Sequence, residues 1–267
     1  MYNYRRINFE VMTDTKKQYE TLPELKKAVE YSIAHQYMVA HEEKIEQTSV
    51  TGNNTIYKVT DHRSFEAASQ YKGKKIAVLN FANSHSVGGA PFSSGAQEES
   101  LCHCSTLLPC LEAMHTPFYQ KHINQYDAGE IDFMGNDDLI YTPDVTVFKT
   151  DMMEEGLVFP KMMPMEDWYK VNVITCAAPE LWDEDDLPAD YEEQLTSRIR
   201  KIMDVAAKEK NEVLILGAWG CGAFENPADV VARVFHKVLK NYSFELIEFA
   251  IGARGNENYN CFVHEFT

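Results

Sequence analysis

Residues 212–241, EVLILGAWGCGAFENPADVVARVFHKVLKN, constrain the fold most strongly, because they predict a strand, a glycine-bearing loop and a helix in immediate succession. Asn226 is predicted to cap the helix, with Pro227 in its first turn. The helix presents one apolar face, formed by Val230, Val231, Val234, Phe235 and Val238. A strand that leads directly into a helix is the building unit of α/β folds.

Similar patterns recur along the chain. Residues 76–82 (IAVLNFA) and 171–177 (VNVITCA) are apolar runs without alternation, which is typical of strands buried on both faces. Further strands are predicted within 55–60, 145–150 and 244–252, and helices within 21–33, 64–71, 96–114, 191–208 and the last residues. The helix after Gly95 is expected to break or end near Pro109. This alternation predicts one layered α/β/α domain that binds ligands beyond the carboxyl ends of its strands.

Other segments are predicted to be irregular. Residues 52–54 carry a turn signal, and the acidic stretch 180–193 is typical of a solvated loop that enters a helix. Residues 116–165 contain proline, glycine and several aspartates with little helical periodicity, so we expect loops over a pocket there.

Charge and composition exclude several classes of function. The net charge of −16 repels polyanions, which makes direct binding of long nucleic acid unfavourable. A small anion can still be held by backbone N–H groups at a helix start. The first ten residues lack a secretory apolar run, and no stretch approaches the length of a membrane span, so we expect a soluble cytoplasmic protein.

The six cysteines are too few for a disulfide scaffold and form no CxxC pair, so free thiols are expected. Neighbouring Cys102 and Cys104 have no second ligand pair to complete a zinc site, and we expect neither a metal nor a cofactor. A thiol enzyme that uses Cys102 or Cys221 with His85 or His103 is the less favoured alternative, since cysteines are more often buried.

Residues 79–100, LNFANSHSVGGAPFSSGAQEES, are the first candidate site. Asn80 and Asn83 place amide side chains at the end of an apolar strand, where a central strand exposes a site. The glycine pair that follows permits positive φ and close approach of a ligand. Glu98 and Glu99 then begin the next helix, where carboxylates also suit the helix dipole without any function.

Residues 217–227, GAWGCGAFENP, are the second candidate site. Their three glycines and Ala218 can turn several N–H groups inward, and the following helix start adds its dipole, which together can cradle a diphosphate. A tight strand-to-helix connection explains the same residues equally well. Phe224 or Trp219 could contact a ribose or base, or belong to the core.

FANSHSVGGAPFSSGAQEE resembles the signature of the microbial-type poly(ADP-ribose) glycohydrolases, which is a triple glycine, a short spacer and Gln-Glu-Glu. LGAWGCGAFENP is similar to the diphosphate loop of that family, and YTPDVTVFKTD and ITCAAPE are also similar to family segments. The resemblance implies a macrodomain-like three-layer α/β/α sandwich with a mixed central sheet. It divides the chain into an N-terminal helical extension (1–72) and a macrodomain core (73–267).

The resemblance also implies roles for individual residues. Glu99 corresponds to the catalytic acid, Glu98 to the residue that holds ribose hydroxyls, and Asn83 to the asparagine that contacts the distal ribose. The other implied ligand-binding residues are Gly88, Gly89, Ala90, Gln97, Gly220, Cys221, Gly222, Ala223 and Phe224. The implied ligand is ADP-ribose or an ADP-ribosylated substrate.

The chemistry fits these residues, because cleavage of an O-glycosidic bond at the ribose anomeric carbon requires a carboxylic acid to protonate the departing oxygen. Glu98 and Glu99 project about 100° apart around a helix, so we do not expect them to flank the bond as an ordinary glycosidase pair. Beside Glu99, the acid that the resemblance implies, Glu98 is expected to orient the sugar. One departure from the family pattern is Ala90, followed by Pro91, in place of the third glycine. If these residues distort the site, the alternative is a non-catalytic module that only recognises ADP-ribose.

Overall fold

The structure, a computed structural model, describes residues 3–45, 54–151, 153–154, 157–158, 160–181, 187–252 and 254–267. Its helices are α1 (Tyr4–Thr21), α2 (Pro23–His35), α3 (Ser64–Ser69), α4 (Gln97–Cys104), α5 (Leu107–Ala113), α6 (Lys121–Asp127), α7 (Tyr191–Lys208), α8 (Ala228–Leu239) and α9 (Glu257–Phe266). Its strands are β1 (Tyr37–Val39), β2 (Ile56–Thr60), β3 (Ile76–Ala82), β4 (Leu139–Val147), β5 (Met153–Glu154), β6 (Leu157–Val158), β7 (Tyr169–Ala177), β8 (Val213–Leu216) and β9 (Leu246–Ala250).

Seven strands form one mixed sheet in the order β1-β4-β7-β3-β8-β9-β2. Neighbouring strands from β7 to β2 pair in parallel, whereas β4 is antiparallel to both β7 and β1. The carboxyl ends of β3, β7, β8 and β9 therefore meet at one edge of the sheet. Strands β1 and β2 precede residue 73, so the segment of the predicted helical extension also supplies both edge strands.

Helices cover both faces of the sheet, which confirms the predicted three-layer α/β/α sandwich with a mixed sheet. Along β3, Ala77 and Leu79 face a core shared with α7, α8 and α9, while Ile76 and Val78 face a core shared with α1 to α5. This alternation follows from the period of two in a strand, and it explains why β3 is apolar on both faces.

Several local predictions need correction. The helix after Gly95 breaks at Ser105 rather than near Pro109, which instead lies in the first turn of α5, where a missing N–H is tolerated. Asn226 does not cap α8, because the N-cap residue is Pro227 and the Asn226 side chain donates to three loop carbonyls. Helix α1 (Tyr4–Thr21) has no counterpart among the predicted helices.

The prediction of loops for residues 116–165 is wrong in its first part and at 139–144, because β4 begins at Leu139, six residues before the predicted strand 145–150. Residues His115–Gln120 form a π-helical turn that continues into α6, and Phe118 and Tyr119 are fully buried there. Residues 52 and 53 of the predicted turn and residues 182–186 of the predicted acidic loop lie outside the described residues. Residues 187–190 are irregular and lead into α7 at Tyr191, as predicted. Within the described residues, no helix is both long and apolar enough to cross a membrane.

Candidate active site

The two candidate sites of the sequence line one cavity of about 500 Å³ at the carboxyl edge of the sheet. They meet because β3 pairs in parallel with β8, with Val78 opposite Ile215, so the loops that follow both strands emerge side by side. The volume lies within the range of small-molecule sites. The predicted residues on the cavity wall are Asn83, Gly89, Ala90, Gln97, Glu98, Glu99, Gly220, Gly222, Ala223 and Phe224.

Gly88 and Cys221 are not among the residues that line this cavity, and their place in the ligand-binding surface stays a prediction. A Cβ on Gly88 would lie 2.9 Å from Leu108 Cδ1 and 3.2 Å from Cys102 Sγ, so Gly88 packs onto the helices beneath it. The Cys221 thiol points to the Trp219 carbonyl oxygen at 3.6 Å. Gly88 and Cys221 therefore help to determine the conformation of their loops through contacts within the protein.

Glu99 lies in the first turn of α4 and is 7% exposed, with its carboxyl on the cavity wall. Its Oε1 atom accepts a hydrogen bond from the Ala90 backbone N–H at 3.0 Å. Gly89 allows this close approach, since a Cβ at that position would lie 2.5 Å from Glu99 Oε1. With φ at +69°, Gly89 also adopts a backbone conformation that L side chains disfavour.

Ala90 replaces the third glycine of the family pattern without backbone strain. Gly88 and Gly89 have positive φ, but Ala90 is not among the non-glycine residues with positive φ in the described part of the chain. Its methyl group is therefore compatible with the backbone, and its N–H remains available to Glu99.

Glu98 is also buried, and two donors fix its carboxylate. Oε1 accepts from Asn80 Nδ2 and Oε2 accepts from the Asn83 backbone N–H, both at 3.0 Å. The pKa of Glu98 is raised to about 8, chiefly by burial and in smaller part by the charge of neighbouring Glu99, against the opposing effect of the two hydrogen bonds.

The expectation that Glu98 and Glu99 diverge is wrong at the level of their carboxyl groups. A Cβ on Gly89 would meet Glu98 Oε2 at 3.2 Å as well as Glu99 Oε1, so both carboxyls lie beside the same glycine. Consecutive helical residues point about 100° apart, but the long glutamate side chains bend toward the N–H donors of Asn83 and Ala90.

Gln97 and Asn83 mainly organise the backbone around these acids. The Gln97 amide accepts from Phe81 N and donates to the Leu79 carbonyl, both at 2.9 Å, and so ties α4 to β3. Asn83 Oδ1 accepts the N–H groups of His85 and Ser86 at 2.8 Å. This turn leaves the Asn83 amide nitrogen as the atom that can donate to a ligand.

The glycine loop after β8 is held from below by Asn226. Its Nδ2 donates to the carbonyl oxygens of Pro179 at 2.8 Å, Gly220 at 3.0 Å and Phe224 at 3.2 Å. Its Oδ1 accepts from the Tyr191 hydroxyl at 2.9 Å. Asn226 therefore fixes the curvature of the loop whose N–H groups are the predicted diphosphate cradle.

Gly220 is required by the same packing. A Cβ there would lie 2.6 Å from Ala178 Cβ and 2.7 Å from Asn226 Nδ2, and its φ is +78°. The structure also separates the two aromatic candidates. Both Trp219 and Phe224 line the cavity, but Trp219 is fully buried with its indole N–H on the Cys176 carbonyl at 3.0 Å, whereas Phe224 is partly exposed.

Three supporting residues have no motif and were not found from the sequence. Arg198, fully buried on α7, donates to the carbonyls of Ala177, at 3.0 Å, and Met134, and so holds the end of β7 beside the loop. Tyr191 also lies on α7, and Asn258 on α9 lines the cavity and donates to the Cys221 carbonyl at 3.1 Å. Only their burial and contacts in the fold identify them.

The cysteines of the thiol-enzyme alternative are not activated. Burial raises the pKa of Cys102 well above its ordinary value and that of Cys221 to about 12, which disfavours the reactive thiolate. The His103 Nε2 atom forms a hydrogen bond with the Pro91 carbonyl at 2.6 Å, and burial lowers the pKa of His103. Among the described residues, no cluster of three or more His, Cys, Asp or Glu side chains is arranged to hold a metal ion.

A second cavity of about 190 Å³ adjoins the first and shares Phe81, Ala96, Gln97 and Ala218 with it. Its wall carries the ion pair between Arg63 Nε and Asp151 Oδ1 at 2.8 Å. The two cavities together form an extended cleft along the carboxyl edge of the sheet.

A family profile described as "Microbial-type PARG, catalytic domain" matches residues 10–150, just over half of the chain. No curated protein sequence matches.

Solved structures match over nearly the full length. The chain is similar to the poly(ADP-ribose) glycohydrolase from Thermomonospora curvata, with 26% identity, a TM-score of 0.81, and coverage of 97% of this chain and 99% of that one. The same enzyme bound to the inhibitor ADP-HPD matches with 26% identity, a TM-score of 0.79 and the same coverage. The poly(ADP-ribose) glycohydrolase from Deinococcus radiodurans in complex with ADP-ribose matches with 27% identity and a TM-score of 0.74, over 91% of this chain and 97% of that one.

Proposed function

The chain belongs to the microbial-type poly(ADP-ribose) glycohydrolase (PARG) catalytic-domain family, and on that premise we propose that it hydrolyses an ADP-ribosyl O-glycosidic bond with Glu99 as the general acid. One observation carries the proposal. The Glu99 carboxyl lies on the wall of the same cavity as the glycine loop Gly220–Phe224. An acid and a diphosphate cradle in one cavity suit a substrate that joins a diphosphate to a glycosidic bond.

In the proposed reaction, Glu99 gives its proton to the departing oxygen as the bond from that oxygen to the anomeric carbon breaks. The resulting oxocarbenium-like carbon is then attacked by water. The Glu99 carboxylate accepts a proton from that water, which restores the acid and releases ADP-ribose. The Ala90 N–H holds the carboxyl in place through both steps.

Glu98 is proposed to orient the distal ribose through its hydroxyl groups. Its two fixed hydrogen bonds, to Asn80 and to the Asn83 backbone, support a positioning role because they hold the carboxyl in one orientation. Its raised pKa lets it carry a proton near neutral pH, so it can donate a hydrogen bond as well as accept one.

The glycine loop is proposed to bind the diphosphate through backbone N–H groups. This mode needs no basic side chain, which suits a chain with a net charge of −16. Phe224 on the cavity wall supports the adjoining ribose, and the adjoining cavity offers room for the remainder of the ligand.

The test is to incubate the protein with a panel of ADP-ribosylated substrates and to measure free ADP-ribose by chromatography. Glu99→Gln keeps an oxygen that can accept from Ala90, so the variant should fold and bind ADP-ribose. Its turnover should fall by about 10²- to 10⁴-fold, the usual contribution of a general acid. Glu112→Gln, at an exposed carboxyl on α5, is the matched control and should retain full activity.

Two other results would contradict the proposal. Binding of ADP-ribose by calorimetry without any turnover would favour a module that only recognises the ligand. Turnover that persists in Glu99→Gln would show that another group supplies the proton.

A further inference from the structure

Arg198 on α7 is a fully buried arginine that forms no ion pair with any carboxylate of the described residues. Its guanidinium donates to the carbonyl oxygens of Ala177, at 3.0 Å, and Met134, and its Nε–H makes no hydrogen bond. Buried charges in proteins are usually paired, because an ion is costly to remove from water. Burial lowers the pKa of Arg198, but a guanidinium keeps its proton in proteins.

The buried carboxylates of the neighbouring segment are already paired with other cations. Asp137 accepts from Lys201 Nζ at 2.7 Å, and Asp138 accepts from Lys121 Nζ at 2.7 Å. Asp132 is exposed, so water weakens the effect of its charge on Arg198. Arg198 therefore leaves an excess positive charge inside the protein.

The end of β7 joins Arg198 to the glycine loop. Arg198 Nη1 donates to the Ala177 carbonyl, and the next residue, Ala178, lines the cavity. Gly220 packs against Ala178 so closely that a Cβ on Gly220 would lie 2.6 Å from Ala178 Cβ. Summed along these contacts and the bonds between them, the guanidinium lies no more than about 13 Å from the Gly220 Cα atom.

The cavity itself offers no cation to an anionic ligand. Glu98 and Glu99 are on its wall, and none of the described residues that line it is a lysine, arginine or histidine. Arg63 in the adjoining cavity is paired with Asp151 at 2.8 Å. A diphosphate that enters beside two carboxyl groups therefore needs a positive charge from behind the wall. The charge of a buried group acts through the low-dielectric interior and is little screened by salt.

We propose that the buried charge of Arg198 stabilises the diphosphate of the ligand on the glycine loop, through the end of β7 and without touching the ligand. This inference rests on the proposed function, because it places the diphosphate at that loop. The hydrogen bonds of Arg198 alone do not account for a charge at this position, since a neutral donor also satisfies carbonyl oxygens and avoids the cost of burying an ion. Arg198 is thus a positioning residue whose charge sets the affinity for an anionic ligand.

The test compares two ligands that differ in charge. One is ADP-ribose, and the other is an analogue in which an uncharged linker of the same length replaces the diphosphate. Arg198→Met keeps an extended side chain without charge, and by calorimetry it should bind ADP-ribose about tenfold more weakly than the wild type but the uncharged analogue equally well. Arg200→Met, which removes an exposed arginine from the same helix, is the matched control and should change neither affinity.

Two further variants separate the charge from the hydrogen bonds. Arg198→Lys keeps the charge with a different donor geometry, and Arg198→Gln keeps amide donors without the charge. At about pH 5, where even a buried lysine holds its proton, the lysine variant should bind ADP-ribose about tenfold more tightly than the glutamine variant. This pair decides the question if Arg198→Met does not fold. Equal affinities of the lysine and glutamine variants for ADP-ribose, or an equal loss for the uncharged analogue, would overturn the inference.

Binding of ADP-ribose needs no turnover, so the experiment separates this inference from the proposed function. If the wild type releases no ADP-ribose from any substrate but Arg198→Met selectively weakens ADP-ribose binding, the proposed function fails and the role of Arg198 stands. If release depends on Glu99 but Arg198→Met binds ADP-ribose like the wild type, only the inference about Arg198 fails. In hydrolysis, Arg198→Met should raise KM by about tenfold and leave kcat unchanged, because the buried charge acts on the diphosphate and not on the bond that breaks.

Discussion

The backbone N–H of Ala90 donates to the Glu99 carboxyl at 3.0 Å, and this bond joins the loop after β3 to the first turn of α4. The loop after β3 therefore determines the position of the Glu99 carboxyl. Gly89 immediately precedes Ala90, which donates this hydrogen bond. Gly88 and Gly89 therefore help to orient the Glu99 carboxyl, in addition to leaving space for a ligand.

Gly89→Ala should disable the site more than it destabilises the fold. The new methyl group would lie 2.5 Å from Glu99 Oε1 and would also suffer the strain of a left-handed φ, which costs about 1–2 kcal/mol. Gly73→Ala is the matched control, since its φ is +94° and nothing lies within 4 Å of the added Cβ. Both variants should lose similar stability in chemical denaturation, but only Gly89→Ala should lose ADP-ribose release, by more than about tenfold. Similar activities in the two variants would contradict the role of Gly89.

Asn226→Ala should weaken ADP-ribose binding without touching the ligand. Its amide holds three carbonyl oxygens of the loop region, and their loss would cost about 1–3 kcal/mol and release the glycine loop. Tyr191→Phe removes only the hydroxyl that donates to Asn226 Oδ1, so we expect a smaller effect, of about 1 kcal/mol. Calorimetry with ADP-ribose measures both, and the double variant should bind no more weakly than Asn226→Ala alone. Additive losses would show that Tyr191 acts on the site independently of Asn226.

Local patterns predicted β2, β3, β7, β8 and β9 and the meeting of the two glycine loops, whereas β1 was not predicted and β4 begins six residues before its predicted strand. β3 is apolar except for Asn80, and β7 is buried at every position except Lys170. Parallel strands bring their carboxyl ends to one edge. Asn226 shows the limit of this reasoning. An asparagine before Pro227 has the pattern of a helix cap, but Pro179 and Tyr191, distant along the chain, provide better partners for its amide.

The supporting residues could not be predicted for the same reason. Arg198 lies on a helix with ordinary amphipathic spacing, and only the tertiary fold shows that its guanidinium is buried under the end of β7. The proximity of the Glu98 and Glu99 carboxyls also depends on donors from a different loop. Helical geometry fixes the direction of the Cα–Cβ bond, whereas the contacts of a long side chain determine the position of its terminal group.

Replacement of either cysteine of the thiol-enzyme alternative, Cys102 or Cys221, should leave catalysis intact. Cys102 and Cys221 both have raised pKa values, so neither supplies a thiolate near neutral pH. Cys102→Ala and Cys221→Ala should each retain ADP-ribose release within about twofold, with Cys102→Ala losing about 1 kcal/mol of stability for the lost sulfur. Loss of all activity in either variant, with ADP-ribose affinity preserved, would support a mechanism in which that cysteine is the nucleophile.

The buried Glu98 carboxyl should make the wild-type protein less stable as pH rises. Its pKa is raised to about 8 by burial, against 4.5 for an ordinary glutamate, so between these values the folded protein holds a proton that the unfolded chain has lost. The free energy of unfolding therefore falls across this window, by up to about 1.4 kcal/mol per pH unit from this group. Urea denaturation from pH 5 to 9 should give a shallower decline for Glu98→Gln than for the wild type, while Glu112→Gln, at an exposed carboxyl, should follow the wild type. Parallel curves for all three proteins would mean that Glu98 is ionised in the folded state throughout this range.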